Sequence, residues 1–158
     1  MRVTPAGRQT LLGMEYRIVN PAEWIERARP LLAAHWREVD PGFELAPCAA
    51  LYQRMHEAGL IFAVAVLDGA ELAGYASITV APSPHNPAVV LGMSDALFVP
   101  PSRRCGVVPG RLIAAAEAEA KRRGASRFIW ACRTGTPLAE MLGRHGYSPL
   151  EQHVMKEL

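Results

Sequence analysis

The sequence predicts an α/β (α+β) fold: a mixed, largely antiparallel central sheet flanked by helices, with one parallel β-α-β crossover over residues 89–132. Three observations carry this expectation. Asp68-Gly69 lies between two apolar runs, Leu60 to Leu67 and Glu71 to Val80, and an Asp-Gly pair in that setting is the strongest short-range signal for an antiparallel hairpin. A run from Val89 to Val99 with strand character leads through a loop rich in proline and arginine into an alanine-rich helix that ends at Gly124. A second apolar strand, Arg127 to Cys132, follows with Phe128, Ile129 and Trp130 in succession, as expected where both sheet faces are covered. Two strands joined through one helix form a right-handed parallel crossover.

Taken in order, residues 1–13 (MRVTPAGRQTLLG) have no clear period and are set apart as a poorly ordered or additional N-terminal segment. Residues 14–158 read as one domain, with Met14 an alternative start and Glu15 to Val19 a first strand. Asn20-Pro21 is a helix-start pair, a capping side chain followed by proline in the first turn. Trp24, Ala28, Leu31, Leu32, His35 and Trp36 continue the helical period, and Pro30 within it predicts a kink or a split. Asp40-Pro41-Gly42 is a turn, and a second helix is expected from about Pro47 to Ala58, with Leu51, Tyr52 and Met55 on one face and Gly59 as its stop. After the hairpin, Pro82, Pro84 and Pro87 predict a loop around His85. Thr136-Pro137 opens a short helix, Leu138 to about Arg144, closed by Gly146, and His153 to Leu158 reads as a terminal strand.

Composition narrows the partners. A formal net charge of +2 over 158 residues is too small to argue for nucleic acid or an anionic membrane, so any basic patch is local. Cys48, Cys105 and Cys132 lie far apart and form no C-x-x-C pair, and they are read as reduced thiols of a cytoplasmic protein. The histidines, His35, His56, His85, His145 and His153, show no zinc-ligand spacing with those cysteines, so no metal is expected. There is no apolar run of transmembrane length and no apolar core of a secretion signal.

The chemistry concentrates in the loop before the alanine-rich helix. A helix N-terminus is partly positive, because its first amides lack partners and its peptide dipoles align, and an acid normally sits there. Here the first turn, opened by Pro109, carries Arg111, and the loop before it carries Arg103 and Arg104, with no acid before Glu117. Three guanidiniums beside a positive helix end predict a bound anion, and a phosphate fits best. Gly106 and Gly110 would let a ligand approach the backbone closely. The alternative is a plain strand-to-helix connection with solvated arginines.

The element order and the stretch from Asp95 to Gly124 resemble the GNAT superfamily of N-acyltransferases, over roughly Glu15 to the C-terminus. In that superfamily a loop [Q/R]-x-x-G-x-[G/A] between a strand and a helix binds the pyrophosphate of acyl-coenzyme A through backbone amides. From Arg103 this chain reads R-R-C-G-V-V, with Gly106 in place and Val108 at the small position; from Arg104 it reads R-C-G-V-V-P, with Pro109 there. LFVPPSRRCG, RLIAAAEAEAKRRGA, the ending GYSPLEQHVMKEL and His35-Trp36-Arg37-Glu38-Val39 are similar to a phage and bacterial branch.

The resemblance implies an acetyl-coenzyme A dependent N-acetyltransferase acting by direct transfer to a primary amine. Its acceptor would be a small-molecule or protein amine, with a homodimer left open. Arg103, Arg104, Cys105, Gly106, Val107, Val108, Gly110 and Arg111 would bind the pyrophosphate, and the amides of Leu97, Phe98 and Val99 would hold the pantetheine arm and polarise the carbonyl. Asp95 is the candidate base, since strand alternation puts it with Met93, Leu97 and Val99 in an apolar setting that would raise its pKa. Trp36, Glu38 and His85 are candidates to border the acceptor, with Glu38 as an anchor for a cation. The tyrosine that often serves the family as general acid falls at Leu142, with Tyr147 a substitute nearby. The departures at Pro109 and Leu142 keep an alternative open: a weak or inactive protein of the same fold that binds coenzyme A or a nucleotide.

Overall fold

Alternation and turn chemistry build the sheet, and the two helical layers follow from which side each strand residue faces. The computed structural model describes residues 9–11, 13–133, 135–151 and 153–156. The strands are β1 (Gln9–Leu11), β2 (Met14–Val19), β3 (Ile61–Asp68), β4 (Glu71–Ser83), β5 (Asn86–Phe98) and β6 (Arg127–Ile129). The helices are α1 (Pro21–Val39), α2 (Ala49–Glu57), α3 (Val108–Arg122) and α4 (Pro137–Arg144). The sheet runs β1-β2-β3-β4-β5-β6, antiparallel throughout except for the parallel pair β5 and β6 on either side of α3. Of the segment 1–13, residues 1–8 and 12 lie outside the described residues, while Gln9–Leu11 pairs with β2 as a strand that the sequence pattern does not announce.

One sheet face carries Phe62, Val64, Val66, Ala76 and Ile78 against Leu112, Ile113, Ala116 and Ala120 of α3, all buried. The other carries Ala63, Ala65 and Leu67 against Ala28 of α1, with Trp24, Leu31 and Leu32 packed beside them. Each large aliphatic or aromatic side chain so covered contributes about 1.5–3 kcal/mol, which makes these two layers the main source of stability. Glu119 on α3 is buried but held between Arg122 and Arg123, each at 2.7 Å. Gly92 on β5 lets α3 and β6 close in: a Cβ there would stand 2.9 Å from Phe128 Cδ2 and 3.3 Å from the Ala120 Cβ. Gly92→Ala is therefore expected to destabilise the fold by about 1–3 kcal/mol, read as a lower denaturant midpoint.

Several expectations are corrected. Pro30 does not split α1, which runs unbroken from Pro21 to Val39; Pro30 and Glu26 are both exposed, so the carbonyl that the proline cannot serve faces water. α2 buries none of its residues, and Leu51 is 48% exposed, so its predicted apolar face is only partly covered. The hairpin loop is Gly69-Ala70, one residue later than Asp68-Gly69, because Asp68 pairs with Glu71; Gly69 has φ 58°, the left-handed conformation that a first turn position of this kind demands. The prolines at 82, 84 and 87 do not make a long loop. β4 and β5 extend to a tight turn at Pro84-His85, and the missing amides fall where the register shifts between Pro82 and Ser83.

At the other sheet edge, β6 stops at Ile129, short of Cys132, and two residues on the Ala131 N–H donates to the Ser94 hydroxyl at 2.8 Å, a side-chain rather than a main-chain acceptor. The terminal strand expected over His153 to Leu158 is absent among the described residues 153–156, where Val154 and Met155 are 89% and 84% exposed. With only a three-residue β6, little edge is available to template it. No helix among the described residues is long and apolar enough to cross a membrane.

Candidate active site

The site grows from a single extra residue in β5. The β4–β5 register moves from Ser77↔Ala96 to Ile78↔Ser94, leaving Asp95 without a partner across the ladder. A bulge of this kind turns two successive side chains to one side and re-aims the chain. Asp95 and Ala96 both face the α1 side, where they line a cavity, whereas Leu97 and Val99 pack against the α3 cluster. The alternation that groups Asp95 with Leu97 and Val99 is thus broken, and Asp95 reaches its apolar surroundings on the opposite face.

The cavity has a volume of about 330 Å³. Its floor is one row across the sheet, Val19, Ala63, Ser77 and Ala96, given by the ladder pairings. Three of the four are small, and that leaves the space. Four strands set about 4.8 Å apart make the row about 14 Å long, with Asp95 at its β5 end. Trp24, Ala28, Leu32 and Trp36 of α1 form the roof, and Phe43, Glu44, Leu45 and Tyr52 close the sides. Trp36 is fixed by its indole N–H, which donates to the Phe43 carbonyl at 2.8 Å.

Burial among these walls raises the Asp95 carboxyl above its ordinary value; the Ser77 hydroxyl pulls the other way and is the smaller influence. Asp95 keeps an exposed surface because the cavity opens to solvent, while the protein atoms packed around it still deprive its charge of water. Tyr52 is raised by burial and then by the Asp95 charge, and Tyr75 is raised far more by burial, then by Tyr52 and Asp95. Both remain protonated. Tyr75 shares a hydrogen bond of 2.7 Å with Nδ1 of His35, whose ring stacks on Phe98 at 4.9 Å and is held neutral chiefly by burial. The Ser77 Oγ is buried and makes no hydrogen bond of full geometry, alone in that respect among the described side chains; it lies near enough to the Asp95 carboxyl to lower its pKa but outside bonding geometry. An orphaned hydroxyl in a cavity wall is a costly group that a ligand can satisfy.

The loop before α3 needs a correction. Its three guanidiniums do not stand together awaiting an anion. Arg103 pairs with Asp68 at 2.8 Å and Glu71 at 3.5 Å across the β3–β4 hairpin, and Arg104 pairs with Glu38 of α1 at 2.6 Å while donating to the Val99 carbonyl at 2.7 Å. Carboxylates from other elements, distant in sequence, already match both charges. Arg111 is half-buried within electrostatic reach of Tyr16. What remains for an anion is the backbone, together with Arg111, which has no carboxylate partner among the described residues. α3 has no side-chain cap and no acid in its first turn. Gly106 has φ 85°, and a Cβ added at Gly106 or Gly110 would meet nothing within 4 Å, so the surface there is open. Cys105 and Val107 are exposed, Val108 is buried, and Pro109 offers no amide.

Beside this helix end the sheet splits. The β5–β6 pairing runs only from Leu91↔Arg127 to Met93↔Ile129, while β5 continues to Phe98. Among the described residues no strand therefore lies against the β6-side edge of Ser94 to Phe98, and an extended amide-bearing chain can add there. Leu97 is half-buried, and Phe98 and Val99 are buried at its end.

Of the sequence candidates, the structure brings Asp95 and Trp36 to the cavity. Glu38 is tied to Arg104 and is not among the cavity walls, so it has no free charge for a cation. His85 sits exposed on the β4–β5 turn, away from the cavity. Leu142 is a core residue at 4% exposure. Tyr147 is bonded to Glu117 and to the Trp130 indole, and this setting pushes its hydroxyl up to about 12. Tyr147→Phe is expected to lower stability by about 1–3 kcal/mol and to leave turnover unchanged, a split that steady-state rates beside a melting curve would read. Tyr52, Tyr75, Ser77 and Glu44 are not found by sequence reasoning; Tyr52 lies on the predicted α2 face, but nothing local marks the others.

No family model matches the chain, and no curated protein matches it. Solved structures do. The chain is similar to an aminoglycoside acetyltransferase from an uncultured soil metagenomic sample, at 18% identity and a TM-score of 0.75 over 93% of this chain and 99% of that one. It is similar to a ribosomal-protein-alanine N-acetyltransferase from Brucella melitensis biovar Abortus 2308, at 14% identity and a TM-score of 0.69 over 91% and 99%. It is also similar to the aminoglycoside N-acetyltransferase AAC(6')-Iy in complex with CoA, at 18% identity and a TM-score of 0.67 over 99% of both chains. At these identities the likeness is one of fold.

Proposed function

We propose that this chain, which has the fold of the GNAT acetyltransferases, transfers an acetyl group from acetyl-coenzyme A to a primary amine in a ternary complex. The observation that carries the proposal is the bulge that sets Asp95 in a walled cavity beside the open edge of β5. The co-substrate supplies an activated acyl group as a thioester. Its diphosphate fits the open backbone of Gly106, Val107, Val108 and Gly110, where uncapped amides and the helix dipole favour an anion. Its amide-bearing arm fits the free edge through Leu97, Phe98 and Val99.

Asp95 holds the incoming ammonium, takes one proton from it and leaves a neutral nucleophile; a carboxyl raised above its ordinary value is better matched to that task than a solvated aspartate. Leu142 supplies no proton to the departing thiolate, so that proton comes from the amine by way of water. A second reading, binding without turnover, is favoured by the same Leu142 and by the amide missing at Pro109. Thiol release from acetyl-coenzyme A against a panel of primary amines separates the two. Amine-dependent release is expected; saturable binding with no release from any amine would establish the binding protein instead.

A further inference from the structure

We infer that the acceptor is a primary amine with one cationic head on an apolar body, aromatic or branched aliphatic, rather than a polyamine or an amino sugar. This rests on the acyl-transfer reading for what happens to the amine, but the cavity argues for the ligand independently. Its polar groups gather at one end. Asp95 and the hydroxyl of Ser77, a residue 6% exposed that faces Asp95 without a hydrogen bond of full geometry, lie at the β5 side of the floor row, with Tyr52 within electrostatic reach. A primary ammonium can donate to the carboxylate and to the Ser77 oxygen together, which satisfies the orphaned group.

From there the floor runs over Ala63 to Val19, beneath Trp24, Ala28 and Leu32. These walls are almost wholly apolar: Val19, Ala63, Ala28 and Leu32 carry no polar side-chain atom, the Trp24 indole brings one N–H donor, and its ring is covered on one side by the Arg27 guanidinium at 4.6 Å. The polar groups nearby are engaged, the Trp36 indole with Phe43 and the Tyr75 hydroxyl with His35. A ring of sugar hydroxyls or a second ammonium placed here would lose its water without replacement. The one other carboxylate in the wall, Glu44, is exposed on the segment that closes the side. A volume of about 330 Å³ is at the small end for a ligand pocket, which suits a compact monoamine.

The test uses the full chain with 2-phenylethylamine, spermidine and kanamycin, and two readouts. Intrinsic fluorescence, read in a Trp130→Phe background so that only Trp24 and Trp36 remain, reports on the cavity without acetyl-coenzyme A; thiol release reports on turnover with it. The expected result is a saturable fluorescence change with 2-phenylethylamine only, and a kcat/KM for it at least about tenfold above the other two. Ala63→Leu, which fills the floor, is expected to abolish the fluorescence change while acetyl-coenzyme A still binds by calorimetry. Should that variant fail to fold, Ser77→Ala, which removes only the hydroxyl oxygen, is expected to raise the KM for 2-phenylethylamine several-fold. Spermidine or kanamycin turning over as well as 2-phenylethylamine, or no fluorescence response to it, would overturn the inference. A fluorescence response without thiol release from any amine would instead sink the acyl-transfer reading and leave the ligand class standing.

Discussion

Asp95→Asn is expected to lower acetyl transfer by about 10²- to 10⁴-fold, the usual contribution of a positioned general base, with acetyl-coenzyme A affinity unchanged. The substitution keeps the shape of the bulge and removes only the proton acceptor. Wild-type turnover should fall as pH drops through the raised pKa of Asp95, and the variant should lose that limb of the profile. Stability should move in the opposite direction. Because folding raises this carboxyl above its ordinary 3.8, the folded state binds its proton more tightly than the unfolded chain does. The resulting stability is fully present below the unfolded value and is lost as pH rises through the folded one. At neutral pH the ionised Asp95 is therefore a cost, and Asp95→Asn should melt higher than wild type there and alike in acid. An ordinary buried polar residue would show the reverse, loss of stability without a selective loss of rate.

Gly110→Asp should likewise separate binding from folding. The position lies in the first turn of α3 with nothing within 4 Å of an added Cβ, and that turn holds no acid. An aspartate there complements the helix dipole and replaces a poor helix former, so stability should rise by about 0.5–1 kcal/mol. The same charge faces the diphosphate. A repulsion of about 1–4 kcal/mol at contact distance predicts acetyl-coenzyme A binding weaker by about tenfold or more. A thermal scan together with calorimetry reads both, and a plain strand-to-helix connection would show only the first.

Much of the fold is legible in the sequence because its signals are local. Asn20-Pro21 starts α1, the small and aliphatic face of α3 finds the sheet, and the apolar runs on either side of Asp68-Gly69 pair as expected. Where reading fails, a longer-range interaction decides. Pro30 is tolerated because α1 turns it to solvent, and just beyond the early end of β6 the Ala131 amide goes to Ser94, a side chain from another strand. The candidate site divides in the same way. Asp95 is identified by its chemistry, but its direction depends on a bulge that only the pairing with Ser77 and Ile78 reveals. Arg103 and Arg104 look like free cations in the sequence because Asp68, Glu71 and Glu38, which neutralise them, are distant along the chain. The cavity itself comes from the coincidence of Ala63, Ser77 and Ala96 across neighbouring strands, and no single stretch carries that signal.

Calorimetric titration of acetyl-coenzyme A into the full chain tests most directly whether the bare end of α3 is a diphosphate site. A saturable one-to-one isotherm that Gly110→Asp weakens by about tenfold or more is the expected result; absence of heat at millimolar ligand, or an isotherm that the substitution leaves untouched, would contradict it.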